Sequence, residues 1–174
     1  MRPPEGVRLP ARSVVATISV ARQQMCVAMD GRTVATCPVS TARAGIGGEA
    51  GSGKTPPGWH RVCARFGAKA ALGQVFVSRR PVRGQTLRPA DWRAGGDADL
   101  ILSRILWLDG LEPGINKGGS VDSRERYIYL HGTNQEELLG TPASHGCIRL
   151  ANRDIADLFE LARARPFFVN IVPP

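Results

Sequence analysis

The chain has 174 residues, the size of one domain, and can bury a core without disulfides or metal. Its 20 Gly and 13 Pro favour turns and short strands over a helical bundle. A net charge of +8 fits an acidic partner, namely nucleic acid, an anionic membrane or an anionic wall polymer. The cations are scattered, which predicts a solvated basic surface and no nucleic-acid site. No stretch reaches the roughly 20 apolar residues of a transmembrane helix.

The first 13 residues form a mostly polar segment. Residues 1–13 lack the apolar core of a secretory signal, so the protein is either cytosolic or has a leader outside this chain. We expect a tail over residues 1–13 and a single domain over residues 14–174.

A β-hairpin is the first predicted structure. Alternating apolar residues indicate strands over 14–20, 25–29 and 33–39, and Asp30-Gly31 is a strong two-residue turn signal between the last two. Pro38 is expected to end the third strand or to place it at a sheet edge.

The four cysteines are Cys26, Cys37, Cys63 and Cys147, and they form no CxxC pair. If Met29 lies opposite Arg32, the ladder pairs Cys26 with Ala35 and Cys37 with Gln24. The two thiols then lie diagonally on one face, about 7–8 Å apart, which suits a disulfide poorly. We interpret both as small core residues.

A glycine- and proline-rich loop follows over residues 43–58. Its segment 48–55 satisfies the GxxxxGKT pattern of a phosphate-binding loop. No apolar strand precedes it, and Pro56 and Pro57 follow where a helix should begin. The sequence therefore argues against nucleotide binding.

The rest of the chain reads as short strands and one helix. Strands are predicted over 59–66, 73–78, 100–108, 127–131 and 167–172, with His60 at a strand surface. A helix is predicted from Asn152, as N-cap, through Ile155, Leu158, Phe159 and Ala162 to the residue before Pro166. The predicted fold class is mainly β with minor α.

The most informative segment is Ser144-His145-Gly146-Cys147-Ile148-Arg149-Leu150. A thiolate is a nucleophile, and a nearby imidazole activates it, so Cys147 with His131 is a candidate catalytic pair. By alternation Tyr127, Tyr129 and His131 share one strand face. The spacing leaves two alternatives open. One is a buried structural thiol, and the other is a metal site of His131, His145 and Cys147, with Cys63 or His60 as a fourth ligand.

These motifs resemble the L,D-transpeptidase catalytic domain family of the YkuD type. The resemblance rests on His131-Gly132-Thr133 and the Cys147 segment, and extends through Gln23, Asp30-Gly31, residues 38–42, residues 54–58 and residues 127–130. It covers about residues 14–172 and implies a β-sandwich-like L,D-transpeptidase catalytic fold that needs no cofactor or metal.

The resemblance also implies roles for individual residues. Cys147 matches the acylated nucleophile, and His131 matches its general base, with the Gly132 carbonyl orienting the imidazole ring. The amides of Gly146 and Cys147 would serve as oxyanion donors. Ser144, His145 and Gly146 match positions lining the site, and Arg149 and Tyr129 are expected to bind substrate. Arg149 either clamps a substrate carboxylate or forms a structural pair behind the loop.

The implied activity is acyl transfer on peptidoglycan stem peptides. The thiol attacks a stem tetrapeptide, terminal D-alanine leaves, and an amine resolves the thioester into a 3-3 cross-link. The alternatives are an L,D-carboxypeptidase or endopeptidase that uses water, a silent wall-binding module, and, from charge alone, a nucleic-acid-binding protein. A carbapenem adduct, a monomeric state and a location in the cell envelope or periplasm are further expectations from the family.

Overall fold

The structure is a computed structural model that describes residues 3–95 and 98–174, with the backbone alone for residues 93–95. In those residues it contains ten strands, one α-helix and three 3-10 helices. The strands are β1 (Val14–Ser19), β2 (Gln24–Met29), β3 (Arg32–Pro38), β4 (Gly58–Phe66), β5 (Gln74–Val77), β6 (Arg80–Thr86), β7 (Ile101–Gly110), β8 (Tyr129–Thr133), β9 (Ile148–Leu150) and β10 (Phe167–Val172). The α-helix α1 spans Asn152–Ala164, and the 3-10 helices span Pro89–Gly95, Gly119–Val121 and Glu136–Leu138.

The N-terminal hairpin has the predicted strands but a different register. Asp30 and Gly31 adopt φ of 50° and 77°, as a type I′ turn requires, and Met29 pairs with Arg32. A β-bulge between Val27 and Ala28 then shifts the ladder by one residue, so that Cys26 pairs with Thr36 and Cys37 with Met25. The predicted pairs, Cys26 with Ala35 and Cys37 with Gln24, are therefore wrong.

The bulge also separates the two thiols. Cys37 is buried in the core, whereas Cys26 is partly exposed with its Sγ 3.5 Å from Thr33 Oγ1. All four cysteines are free thiols.

The strands form one branched sheet in which β7 is the branching strand. One edge of β7 pairs with β4 along residues 105–110 and with β5 along residues 101–102, and the other edge pairs with β8. On the far side of β4, the order continues through β10, β1, β2 and β3. Strand β9 pairs in parallel with β8 and ends this branch.

The main core gathers apolar side chains from both branches of the sheet and from α1. It includes Ile18, Leu106, Leu130, Ile148 and Phe159, all nearly inaccessible to solvent. The predicted helix face is confirmed, since Ile155, Leu158, Phe159 and Ala162 are all buried. Burial on this scale, about 25 cal/mol per Å² of apolar surface, holds the two branches together without a disulfide.

Several elements differ from prediction. Strand β6 was not predicted, because its exposed sequence with Pro81 and Gly84 has no apolar alternation. Strand β8 begins at Tyr129, two residues late, since Tyr127 adopts a φ of 56° and Ile128 donates its amide to Ser123. His60 is fully buried rather than at the surface, with its ring nitrogens bonded to the Gly58 carbonyl and Ser123 Oγ.

The glycine-rich loop has the predicted irregular structure. Residues 43–57 contain no helix or named strand, and β4 begins at Gly58 directly after the two prolines. The helix that a phosphate-binding loop requires is not there. Within the described residues, no helix combines the length and apolarity needed to cross a bilayer.

Candidate active site

Strands β8 and β9 bring the two candidate catalytic residues to one face of the sheet. Their parallel register pairs Leu130 with Ile148 and His131 with Arg149. Since side chains alternate along a strand, Leu130 and Ile148 enter the main core, and His131 and Cys147 lie on the opposite face. Cys147 packs there against a small apolar cluster that contains Tyr129.

The His131 ring is held in one tautomer. Its side chain is 2% exposed, and Nδ1 lies 2.8 Å from the carbonyl oxygen of Gly132. Because a carbonyl only accepts hydrogen bonds, Nδ1 carries the proton and Nε2 keeps a lone pair. Burial lowers the pKa of His131, partly offset by the Gly132 bond, so the ring is a neutral base at pH 7.

The Cys147 thiol is protonated at neutral pH. Burial raises its pKa to about 11, and Sγ donates to the Tyr127 carbonyl at 3.4 Å. The charges of Arg149 and Arg126 act in the opposite direction but do not cancel the burial. The pair therefore rests as neutral thiol and neutral imidazole. If Cys147 attacks a substrate, a base has to take the thiol proton as the new bond forms.

A tight turn presents Cys147 from the loop before β9. Ser144 Oγ donates to the Cys147 carbonyl at 2.5 Å and accepts from the Gly146 amide at 3.3 Å. Gly146 adopts a φ of 133°, which residues with a Cβ rarely adopt, so this position requires glycine. The Gly146 amide, an expected oxyanion donor, bonds weakly to Ser144 in this structure and would have to leave that bond.

Gly132 is constrained by space rather than by its backbone angles. A Cβ at this position would collide with Asn152 Oδ1 and with the Leu102 carbonyl. Asn152 was predicted as the helix N-cap, but α1 begins at Asn152 and Ala151 occupies the cap position without a side-chain bond. The Asn152 amide instead donates to the Thr133 carbonyl and accepts from Ser103 Oγ, which braces the strand directly behind His131.

The glycine-rich loop forms one wall of the site and is fixed by two residues. Thr55, fully buried, donates its hydroxyl to the Gly146 carbonyl and accepts the Ala42 amide, both at 2.9 Å. Arg126 donates to the carbonyls of Gly47, Gly48 and Lys54 at 3.1, 2.6 and 2.6 Å. Together they join the loop to the turn that carries Cys147 and to the segment before β8.

A cleft of about 480 Å³ opens in front of Cys147. It is lined by Ala50, Gly51, Gly53, Gly119, Ser120, Asp122, Glu125, Arg126, Ile128, His145 and Cys147. The side chain of His145 is 69% exposed and also borders a second cavity of about 580 Å³ on the Arg149 side. The predicted residue His145 thus lies at the mouth of the site, where a substrate can reach it.

The buried guanidinium of Arg149 forms an ion pair with Asp99, whose side chain is 26% exposed. The Arg149 side chain is 2% exposed, with Nη2 at 2.6 Å from Asp99 Oδ2 and Nη1 at 2.9 Å from Gln135 Oε1. The same Asp99 oxygen lies 3.0 Å from His145 Nδ1. Burial raises the pKa of Asp99, but the hydrogen bonds from His145 and Arg149 lower it by more, so the pKa lies below its usual value. This geometry favours the structural alternative for Arg149 over the clamp.

Tyr129, predicted to bind substrate, lies beneath the surface. It is 5% exposed, and its hydroxyl accepts a bond of 2.8 Å from Arg79 Nη1. Trp107 contacts it edge-on, and the half-exposed Tyr127 ring stacks on Trp107 at 5.7 Å between centroids. Tyr127 and Arg79 therefore form the solvent-facing layer above Tyr129.

Sequence reasoning missed Asp99, Arg126 and Thr55 as parts of the site. Asp99 and Arg126 lie in irregular segments, and their partners are distant in the chain. Thr55 belongs to the GxxxxGKT pattern, which is typical of phosphate binding and does not indicate a structural role in this site. Within the described part of the chain, no three His, Cys, Asp or Glu side chains form a group that could hold a metal ion.

The family model of the L,D-transpeptidase catalytic domain, YkuD, matches residues 13–171. The chain therefore belongs to the L,D-transpeptidase catalytic domain family, as the motifs indicate. No sequence among the curated proteins matches this chain.

Solved structures of L,D-transpeptidases share the fold. One from Mycobacterium smegmatis has 16% identity and a TM-score of 0.52, over 91% of this chain and 58% of that one. L,D-transpeptidase 3 from Mycobacterium tuberculosis, in complex with a faropenem-derived adduct, has 17% identity and a TM-score of 0.52, over 91% and 59%. A Xylanimonas cellulosilytica enzyme has 18% identity and a TM-score of 0.51, over 99% and 64%.

These likenesses confirm the predicted fold, mainly β with one helix. The chain spans between 58% and 64% of the length of these three structures.

Proposed function

We propose that the protein is a peptidoglycan L,D-transpeptidase whose nucleophile is Cys147 and whose general base is His131. The observation that carries the proposal is the hydrogen bond from His131 Nδ1 to the Gly132 carbonyl, 2.8 Å long. It leaves Nε2 unprotonated on the sheet face that also carries Cys147. Membership in the family supports the choice of substrate.

In the first half-reaction, His131 Nε2 takes the thiol proton while Sγ attacks the carbonyl at the L-configured centre of the stem's diamino acid. The tetrahedral intermediate collapses when the imidazolium returns that proton to the leaving amine of D-alanine. A thioester between Cys147 and the stem remains, and His131 is again neutral. The Gly132 carbonyl stabilises the transient imidazolium in place of a carboxylate.

In the second half-reaction, an amine of another stem approaches through the cleft in front of Cys147. His131 Nε2 removes a proton from the attacking amine, and the thiolate leaves and is reprotonated. The product is a 3-3 cross-link. Water in place of the amine gives a carboxypeptidase or endopeptidase reaction from the same intermediate.

The location, the oligomeric state and the response to carbapenems are proposed on the same grounds as the reaction. We propose that the protein works in the cell envelope, acts as a monomer, and accepts a carbapenem as an acylating agent at Cys147. The basic surface is suited to an anionic wall polymer. Fractionation of cells that express the native reading frame tests the location, and recovery in the cytosol alone would make a soluble wall fragment the better substrate.

Product analysis tests the proposed reaction. We expect a disaccharide tetrapeptide incubated with the protein to lose D-alanine and to give a cross-linked dimer, detected by mass spectrometry. Cys147→Ala should give neither product, and Cys63→Ala, a change at a thiol on β4, should give both. A hydrolysed tripeptide alone would identify water as the acceptor. Unchanged tetrapeptide with folded protein would contradict the proposal.

A further inference from the structure

A further pocket lies against the small apolar cluster that contains Tyr129 and contacts Cys147. It measures about 580 Å³ and lies between β4, the turn after it and the β5–β6 hairpin. Phe66 and Phe76 supply apolar surface, and Arg65, Lys69 and Arg79 supply three cations. We call it the Arg79 pocket, defined by these five residues.

The Arg79 pocket shares its floor with the active site. Phe66 and Phe76 belong to the same apolar cluster as Tyr129 and Cys147. The ladder pairs Phe66 with Ile105 and Ile105 with His131, so two strand spacings, about 10 Å, separate the backbones of Phe66 and His131. An extended peptide covers that distance with about three residues.

The charge of the pocket is uncompensated. Among the described residues, no carboxylate lines it, and Arg65, Lys69 and Arg79 form no ion pair. The cleft in front of Cys147, by contrast, contains Glu125. An anionic group of a bound substrate is therefore attracted to the Arg79 side.

Arg79 is held in a fixed position, and most of its N–H donors have no partner within the described residues. Ser78 and Arg79 adopt φ of 47° and 67° at the tip of the β5–β6 hairpin, which places the guanidinium 4.8 Å from the Trp107 ring centroid and 5.0 Å from that of Tyr127. One N–H bonds the Tyr129 hydroxyl, and a guanidinium has five. The remaining donors can form the two parallel bonds that a carboxylate accepts.

We propose that Arg79 is a specificity-determining residue that binds a carboxylate of the donor stem peptide, with the Arg79 pocket holding the adjoining part of that peptide. The inference rests on the proposed function and names a subsite of it. Two carboxylates that stay on the donor after D-alanine leaves have the right chemistry, the α-carboxylate of a γ-linked glutamate and the distal carboxylate of the diamino acid. Donors amidated at one or the other distinguish them.

The test measures binding without turnover. Tetrapeptide donors with free carboxylates, or with either one amidated, are titrated by calorimetry into Cys147→Ala with and without Arg79→Gln. We expect Arg79→Gln to weaken binding of the free-carboxylate donor at least tenfold. One of the two amidated donors should bind the Cys147→Ala protein that weakly even when Arg79 is present. Adding Arg79→Gln should not weaken its binding further. Arg83→Gln, the same charge change on β6 outside the pocket, should cost less than twofold at matched salt.

Other results would overturn the inference. Equal losses for free and amidated donors would mean that Arg79 recognises neither of these two carboxylates. Equal losses in Arg79→Gln and Arg83→Gln would mean a diffuse charge effect. Failure of the proposed function is separate, since it appears as no thioester from any donor when Cys147 and Arg79 are both intact. If the tetrapeptide binds no variant, both proposals are wrong.

Discussion

The hydroxyl of Thr55 joins the glycine-rich loop to the turn that carries Cys147. The change Thr55→Val keeps the side-chain shape and leaves the Ala42 amide and the Gly146 carbonyl without that partner. An unpaired buried polar group costs about 1–3 kcal/mol, so two should cost about 2–6 kcal/mol. The matched variant Thr55→Ser keeps the hydroxyl and should lose about 1 kcal/mol for one buried methyl group.

Urea unfolding measures the difference between these two variants. With a slope of about 2 kcal/mol per molar, Thr55→Val should lower the midpoint by about 1–3 M, and Thr55→Ser by about 0.5 M. The rate of Cys147 acylation should also fall in Thr55→Val, because Gly146 loses its anchor. Equal midpoints for the valine and serine variants would refute the structural role assigned to the hydroxyl.

Three further predictions concern the titrating groups. Cys147→Ala should abolish turnover with unchanged circular dichroism, and Cys63→Ala should retain it; equal loss in a folded Cys63 variant would contradict the choice of nucleophile. His131→Ala should slow alkylation of Cys147 at pH 7, and the acid limb of wild-type activity should lie below pH 6.5, because burial lowers the pKa of His131. An unchanged alkylation rate would leave His145 as the candidate base. Burial also lowers the pKa of His60 to about 4, so between pH 6.5 and 4 the unfolded chain takes up a proton that the folded chain refuses. Stability should therefore fall by about 3 kcal/mol as pH drops through that window, seen as a lowered urea midpoint, and a His60→Gln variant with the same loss would refute this assignment.

Local sequence signals predicted the parts of the fold whose determinants lie close together in the chain. The Asp30-Gly31 turn, the apolar face of α1 and the last strand follow from turn chemistry and periodicity. The bulge opposite Val27 and Ala28 does not, since nothing in the sequence marks Val34 as the residue that the ladder skips. The one-residue shift places Cys37 in the core and Cys26 on the opposite face, so the prediction that both are core residues is wrong for Cys26.

The residues of the candidate site also fall into two groups, those that local sequence signals predicted and those that they did not. His131 and Cys147 lie in compact motifs, and their strands place them on one face. Asp99 could not be found from the sequence, because its partners His145 and Arg149 are about fifty positions away and its own segment has no pattern. The burial of His60 also depends on a distant partner, Ser123, so its strand position alone suggested a surface residue.

The proposed mechanism depends on one intermediate, a thioester on Cys147. The most direct measurement is the intact mass of the protein, followed by peptide mapping, after rapid mixing with a disaccharide tetrapeptide and acid quenching. We predict a mass increase equal to the donor minus D-alanine, located on the peptide that contains Cys147, and no increase in Cys147→Ala. An adduct on Cys26, Cys37 or Cys63, or cross-linked product formed with Cys147 unmodified throughout, would contradict it.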